Sequence, residues 1–209
     1  MDLRETLLIV PGILLGFSFH EYAHAQVAVW LGDDTPKDHG RLSLSPSVHI
    51  DIWGFILILI AGFGWAKPVP INESNFKNPR RDDILVSLAG PVMNLLIALF
   101  FLTLMKVMTI TIDVSTLDEN TIFSTIMQVF NSTVWINVVL FVFNLLPIPP
   151  LDGSHIFFSA LNLKHTDFYQ KFYFYSRFLL PILIITDSLS KIMGPPIFMV
   201  YRILMGIFF

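Results

Sequence analysis

Long apolar segments separated by short polar segments make up most of the chain. Residues 6–31, 84–108 and 122–146 are each long enough for a helix that crosses a lipid bilayer, which takes about 20 residues. Two further apolar segments, residues 172–185 and 195–209, are shorter, and an arginine interrupts each of them. This pattern predicts an all-α polytopic membrane protein with a three-helix core and one or two C-terminal membrane helices.

The segment between the first two predicted spans has a different character. Residues 52–65 are apolar but few, and stretches of about 10–14 apolar residues are more often re-entrant or buried than spanning. Just before them, residues 41–45 alternate between polar and apolar side chains, which is a strand pattern that Pro46 ends. The sequence therefore predicts a re-entrant segment with a short β segment between the first two core helices.

Composition supports the membrane assignment. The 209 residues are 54% hydrophobic and only 14% charged, whereas soluble domains carry about 25% charged residues. The polar segments are too short for a further domain, so we expect one domain over residues 1–209, with a core near residues 6–155 and C-terminal membrane helices near residues 168–209. The net charge of −3 gives no indication of a nucleic-acid partner. The chain has no cysteine, so any metal ligand must be His, Asp or Glu.

A polar motif lies inside the first predicted span. His20 and His24 are four residues apart, so on a helix their rings lie one turn apart on one face and can bind the same metal ion. Glu21 lies beside the first histidine, and H-E-x-x-H is the zinc metalloprotease signature, with the glutamate as general base. Ionisable residues inside a span are costly and usually functional, so the motif favours a metal site over a polar packing face.

A zinc site needs a third protein ligand, and two acids compete for this place. No histidine follows His24 at the spacing that metzincins use. Glu73 follows Asn72, as in the Asn-Glu pair of thermolysin-like enzymes, but it lies in a basic, proline-flanked loop. Asp152 is the stronger candidate because it comes at the proline-broken end of an uncharged span, where the backbone must line a cavity or the protein interior. The weaker candidates for contact with the site are His39, His49 and His155.

Three motifs follow one another along the chain. They are His-Glu-x-x-His at residues 20–24, Ala-Gly-Pro-x-x-Asn at residues 89–94 and Asn-x-x-Pro-x-Pro-x-Leu-Asp-Gly at residues 144–153. Together they resemble the site-2 protease family of intramembrane metalloproteases, over residues 17–154. The sequence Gly-Phe-Gly-Trp-Ala-Lys-Pro-Val-Pro at residues 62–70 is similar to that of compact bacterial members. We expect neither the PDZ nor the CBS domain that some members carry.

The resemblance implies a zinc enzyme that hydrolyses peptide bonds within or near transmembrane segments of other membrane proteins. It implies one zinc ion per chain, with His20, His24 and Asp152 as the ligands and Glu21 as the catalytic base. The implied partners are transmembrane protein substrates and membrane lipid.

Two asparagines, Asn94 and Asn144, also match family positions near the active site. The resemblance implies that they hold the substrate or the oxyanion. On the sequence, two other classes of function stay open. One is a membrane protein that binds or transports metal, which would not need Glu21 beside its first ligand. The other is a catalytically inactive membrane scaffold.

The order of the spans predicts the topology. One ion can bind both His24 and Asp152 only if the first and third spans end at the same membrane face, so an odd number of crossings separates them. The second span provides one crossing, and residues 52–65 must therefore enter the membrane and return. Lysines and arginines are frequent in the loops before the second span, whereas residues 109–121 contain none. By the positive-inside rule, this predicts a multi-pass protein of the cell membrane with its active site nearer the cytoplasmic face.

Overall fold

The computed structural model describes residues 3–62, 64–112 and 122–209, which are mostly helical. In chain order the helices are α1 (Leu3–Trp30), α2 (Thr35–Asp38), α3 (Pro46–His49), α4 (Ile52–Ala61), α5 (Pro79–Thr111), α6 (Ile122–Asn144), α7 (Asp152–Ala160), α8 (Asp167–Ile185) and α9 (Ser188–Phe208). A 3₁₀ turn at Glu73–Asn75 precedes α5. The predicted three-helix core is therefore α1, α5 and α6, and most of the predicted loop of residues 109–121 lies outside the described residues.

Helices α1 and α6 approach each other closely at two glycines. Gly12 and Gly16 are about one turn apart on α1, and neither has a Cβ that would separate the helices. A Cβ on Gly12 would lie 2.8 Å from Cα of Thr133, and one on Gly16 would lie 2.7 Å from the Leu140 side chain. The contacts advance in the same direction along both helices, so α1 and α6 run parallel. The topology predicted from the sequence requires this arrangement.

Helix α5 runs antiparallel to α1. His20 contacts Asn94, whereas His24, one turn further along α1, contacts Val86, which comes earlier in α5. Helix α9 packs against α5 and α6, and together these helices enclose an apolar cluster. Its buried members are Ala98, Leu102, Met105, Val134, Val138, Met193, Ile197 and Leu204. Within a bilayer such a cluster stabilises the fold mainly through van der Waals packing, because lipid is as apolar as the side chains themselves.

The segment that contains α4 begins and ends at neighbouring positions. An antiparallel bridge between Ile50 and Ala66 joins its two ends. The two arms also touch at Gly54 and Gly64, since a Cβ on Gly64 would lie 2.0 Å from the Gly54 carbonyl oxygen. This bridge is the only β pairing among the described residues, so the predicted short β segment is reduced to one residue pair there. Residues 41–45 have no strand partner in the same part of the chain.

Four helical segments of the described residues are long and apolar enough to cross a membrane. They are Arg4–Trp30, Pro79–Thr111, Ile122–Asn144 and Ser188–Phe208. Helix α4 has only 10 residues and is too short to cross. Helix α8, which carries Lys171 and Arg177, is not among the four, so one of the two predicted C-terminal segments qualifies as a span. The chain is a helical, multi-pass membrane protein.

Candidate metal centre and active site

The two histidines of α1 both direct their Nε2 atoms towards one point. Nδ1 of His20 lies 2.7 Å from Oδ1 of Asn94, and Nδ1 of His24 lies 2.7 Å from the carbonyl oxygen of Val86. Both partners are acceptors, so each Nδ1 carries the proton and each Nε2 keeps its lone pair. The two Nε2 atoms lie 3.0 Å apart. Both rings are therefore in the tautomer that binds a metal through Nε2.

Asp152 brings a third ligand atom to the same point. Its Oδ2 lies 3.2 Å from Nε2 of His20 and 3.4 Å from Nε2 of His24. This oxygen is buried and has no hydrogen-bond partner among the described residues. Three acceptor atoms at such distances repel one another unless a cation lies between them, and two imidazoles with one carboxylate suit zinc. The three residues, which we call the metal centre, therefore fit a zinc ion.

Two glycines make room for this arrangement. A Cβ on Gly90 of α5 would lie 2.4 Å from Nε2 of His24 and 2.6 Å from Nε2 of His20, so any larger residue would intrude on the metal centre. A Cβ on Gly153 would lie 2.2 Å from the carbonyl oxygen of Leu145. Glycine at this position lets α7 begin directly against the end of α6, which brings the first residue of α7 to the histidines.

Glu21 lies in the wall of a cavity of 340 Å³, next to the metal centre. Its side chain is buried, with 8% of the residue exposed. Among the described residues, its one hydrogen-bond partner is the backbone N–H of Val69, which donates to Oε2 over 2.9 Å. The other oxygen, Oε1, is thus left to accept a proton. All predicted site residues line this cavity except Asn94.

The two predicted asparagines occupy different places. Asn144 lines the cavity. Asn94 is completely buried, and its Nδ2 donates to the carbonyl oxygen of Gly16 and to Oδ1 of Asn137. Its Oδ1 accepts from His20. Asn94 therefore reaches the metal centre through a histidine ring and has no contact with the cavity.

Asn137 is a buried residue that the sequence analysis did not select. Besides accepting from Asn94, it donates to the carbonyl oxygens of Gly12 over 3.3 Å and Thr133 over 2.9 Å. It thus connects α1, α5 and α6 behind His20. A signal was present in the sequence, because Asn137 is an amide within an apolar span, two helical turns before Asn144, and such buried amides usually bond to neighbouring helices.

Two of the weaker ligand candidates belong to a second polar cluster. Glu73 and His155 line the same cavity as the metal centre and lie close to Asp83. Lys164 lies between them, with Nζ 2.7 Å from Glu73, 2.7 Å from Asp83 and 2.8 Å from Nδ1 of His155. We call these four residues the lysine cluster. The ammonium group of Lys164 occupies the position where its neighbours would otherwise hold a metal ion.

The two other histidines considered from the sequence lie outside the cavity wall. His39 is exposed, and its Nδ1 donates to the carbonyl oxygen of Thr35 over 2.9 Å. His49 is fully buried, and its Nε2 donates to the carbonyl oxygen of Ser43. Burial lowers the pKa of His49, so its ring is neutral near pH 7. Neither histidine joins the metal centre.

Comparison with known proteins gives an independent indication of family. Residues 103–184 match the model of peptidase family M50. The chain is 48% identical over 149 residues to YwhC of Bacillus subtilis (strain 168), named as a candidate zinc metalloprotease, with 71% of this chain and 66% of the relative covered. It is 28% identical over 168 residues to Rip2 of Mycolicibacterium smegmatis (strain ATCC 700084 / mc(2)155), named in the same way, with 75% and 58% covered. The chain thus spans less than two thirds of the length of either relative. No solved structure matches the chain.

Proposed function

The chain belongs to peptidase family M50, the site-2 protease family, and on this premise we propose that it is an intramembrane zinc metalloprotease. Its substrates are other membrane proteins, which it cleaves within or near their transmembrane segments. One observation carries the proposal: the ligand atoms of His20, His24 and Asp152 converge beside a buried glutamate in the wall of a cavity.

The catalytic roles follow from which atoms are already bonded. His20, His24 and Asp152 would hold one zinc ion, which would supply a Lewis acid for the scissile carbonyl and make a nearby water acidic enough to react near neutral pH. Glu21 takes the proton of the attacking water at Oε1, because Oε2 accepts from Val69. It then delivers that proton to the leaving nitrogen.

We assign different roles to the two asparagines. Asn144 lines the cavity; one N–H of its Nδ2 donates to the carbonyl oxygen of Leu140 over 3.0 Å, and the other can donate to the developing oxyanion or to the substrate backbone. Asn94 is fully buried, and both ends of its amide group are bonded to protein, so we assign it to the orientation of His20. A hydrogen-bond partner of this kind fixes the tautomer of a ligand histidine and raises its basicity.

A transmembrane substrate must unwind before attack, because its backbone groups are bonded within its own helix. An extended segment beside the cavity can bond the unwound backbone by strand addition. Residues 65–70 offer few donors for this purpose, since two of them are prolines and the N–H groups of Lys67 and Val69 already bond to protein. We assign the role to residues 41–45, where the N–H groups of Arg41 and Ser45 are bonded to protein but those of residues 42–44 have no partner among the described residues. Leu42→Pro, which removes one backbone donor there, should slow cleavage.

We infer that residues 52–65 are re-entrant and that the active site lies nearer the cytoplasmic face. The bridge at the two ends of this segment and the parallel course of α1 and α6 support the inference, as does the frequency of basic residues before α5. Single cysteines at Ser47, Ser74 and Ser115 can be treated with an impermeant thiol reagent in intact cells. Only the cysteine at position 115, outside the described residues, should react. Reaction at position 74 would show that residues 52–65 cross the membrane and are not re-entrant.

A direct test of the function uses Glu21→Gln. Purified protein in lipid vesicles should cleave a synthetic transmembrane peptide, and Glu21→Gln should lower kcat by about 100- to 10,000-fold while zinc content stays the same. Glu5→Gln, at an exposed position of the same helix, is the matched control. Undiminished cleavage by Glu21→Gln would exclude the proposed mechanism. Zinc uptake into the vesicles without any cleavage by the wild type would favour a metal transporter.

A further inference from the structure

Two buried charges in the loop after α1 form no ion pair among the described residues, although the charge of Glu21 lies near enough to Arg41 to interact with it. Asp33 has no exposed surface and Arg41 is 4% exposed, yet neither forms an ion pair in that part of the chain. A buried charge is costly unless hydrogen bonds offset its loss of water. Both side chains make such bonds to one segment, residues 67–75, which we call the strap.

Arg41 holds the first end of the strap. Its Nη1 donates to the carbonyl oxygen of Val48 over 2.7 Å, and its Nη2 donates to the carbonyl oxygen of Lys67. The N–H of Lys67 in turn donates to the carbonyl oxygen of His49 over 2.7 Å. The backbone of the strap is therefore bonded at both its N–H and its carbonyl group where it enters the site.

Asp33 holds the other end of the strap. Its Oδ2 accepts from the N–H of Asn72 over 2.8 Å, and its Oδ1 accepts from Nδ2 of Asn75 over 2.7 Å and from the hydroxyl of Thr35. Burial acts to raise the pKa of Asp33, but the hydrogen bonds from these three residues outweigh it and keep the pKa below its usual value. The carboxylate therefore stays charged and bonded at neutral pH.

Between these two anchors the strap contacts Glu21 through one backbone group. Pro68 and Pro70 have no N–H, so the sequence Pro-Val-Pro contains a single N–H, that of Val69, which lies 2.9 Å from Oε2 of Glu21. Each proline also restricts the residue before it to extended conformations. The direction of this N–H is thus determined by the covalent structure of the strap as well as by its anchors.

We propose that the strap positions Glu21 for proton transfer, and that Arg41 and Asp33 are positioning residues that act through the strap. The inference rests on the proposed protease function. A fixed bond to Oε2 restricts rotation of the carboxylate, and with it the direction in which Oε1 accepts a proton. Without that bond the group turns about its last side-chain torsion, which is broad and weakly restrained. Such misplacement lowers the rate of the chemical step while substrate and metal binding stay the same.

The first test compares kinetics in the full chain, reconstituted in lipid vesicles. Arg41→Ala and Val69→Pro, which deletes the N–H, should each lower kcat by about 10- to 100-fold, with KM within about twofold and zinc content unchanged. Val69→Ala keeps the N–H to Glu21 and should lower kcat far less than Val69→Pro does. Arg80→Ala is the control for Arg41, because Arg80 also donates to two backbone carbonyls, those of Ser159 and Ala160.

Two further measurements separate positioning from a general structural role. Methylguanidinium added to Arg41→Ala should restore kcat about tenfold, whereas methylammonium has the same charge but cannot bond two carbonyls in a fixed plane. Hydrogen exchange of a peptide that covers residues 68–70 reports the amide of Val69, since prolines have none. Its exchange should be slow in the wild type and at least about tenfold faster in Arg41→Ala and Glu21→Ala.

Several outcomes would overturn the proposal. Loss of zinc from Arg41→Ala would assign the strap to the support of the metal centre, and a raised KM with unchanged kcat would assign it to substrate binding. Equal exchange of the Val69 amide in wild-type and Glu21→Ala protein would exclude the contact. A different result would separate the two proposals. If the Val69 amide exchanges slowly in the wild type and faster in Glu21→Ala, but the wild type cleaves no peptide, the proposed function is wrong while the strap still orients Glu21.

Discussion

The metal centre and three members of the lysine cluster line one cavity and contain similar groups, yet they are neutralised differently. In the metal centre, three acceptor atoms converge and Oδ2 of Asp152 has no hydrogen-bond donor among the described residues. In the lysine cluster, Nζ of Lys164 lies 2.7 to 2.8 Å from each of the other three residues. The first group needs a cation from outside, whereas the second already contains one.

The histidines show the same difference at the level of single atoms. In the metal centre, each Nδ1 donates to a fixed acceptor, which leaves the lone pair of Nε2 for a metal ion. In the lysine cluster, Nδ1 of His155 accepts from Lys164, so the lone pair on that nitrogen is already used. A count of histidines and carboxylates therefore does not identify a metal site. The bonds that each lone pair already makes decide which group can hold an ion.

The largest expected effect is loss of zinc when a member of the metal centre is removed. Asp152→Ala should lower zinc affinity by at least about 100-fold, because two imidazoles alone leave the site incomplete. Asp83→Asn alters a carboxylate of the lysine cluster and is the matched control, which should keep its zinc. Elemental analysis after dialysis against a limiting chelator measures both variants. Equal zinc loss in the two proteins would remove the distinction between the two groups.

Gly90 provides a test that leaves every ligand in place. A Cβ at this position would lie 2.4 Å from Nε2 of His24, and the ring cannot retreat without loss of its bond to Val86. Gly90→Ala should therefore weaken zinc binding by about 10- to 100-fold. Gly194→Ala in α9 is the control, since a Cβ there meets nothing within 4 Å. Chelator competition measures the affinities, and an unchanged value for Gly90→Ala would show that the rings are not held in these positions.

Those parts of the molecule that depend on local spacing could be predicted from the sequence. The lengths of the apolar segments predicted the helical, multi-pass class, and the four-residue spacing of His20 and His24 predicted that both rings lie on one helix face, where the structure has them. Asp152 was preferred over Glu73 because of its place at a broken span, and it is Asp152 that lies with the histidines. The comparisons confirm the predicted family.

Contacts between distant segments could not be predicted in this way. The group that contacts Glu21 is a backbone N–H, and the partners of Arg41 are backbone carbonyl oxygens. Nearly every residue has these groups, so the sequence does not indicate which of them a side chain will contact. The alternating pattern of residues 41–45 indicated a strand, but a strand also needs a partner, and the pattern of one segment carries no information about its neighbour. The lysine cluster likewise joins residues that no local pattern connects.

A smaller effect is expected from Asn137, which acts on the metal centre only through Asn94. Asn137→Leu removes one acceptor from the Asn94 amide and should weaken zinc binding by about 3- to 10-fold, because the orientation of His20 becomes less restricted. Asn131→Leu is the control on the same helix, since its Oδ1 accepts from Tyr201 over 2.6 Å, away from the metal centre. Chelator competition should separate the two variants, and equal affinities would limit the ordering effect to Asn94.

The smallest effect concerns the lysine cluster and tests whether its ammonium group is what excludes a metal ion. Lys164→Ala, made together with Asp152→Ala, leaves three ligand atoms of Glu73, Asp83 and His155 within 4.8 Å of one another without an internal cation. We expect a new zinc site at least about 100-fold weaker than the metal centre, because it has only one histidine and a partly exposed glutamate. Lys164→Arg keeps a cation and should create no site, and a further His155→Ala change should abolish the new one. Equilibrium dialysis with zinc measures each protein. If Lys164→Ala gains no zinc at millimolar concentration, the internal cation does not explain the difference, which must then come from how the acceptor atoms are directed.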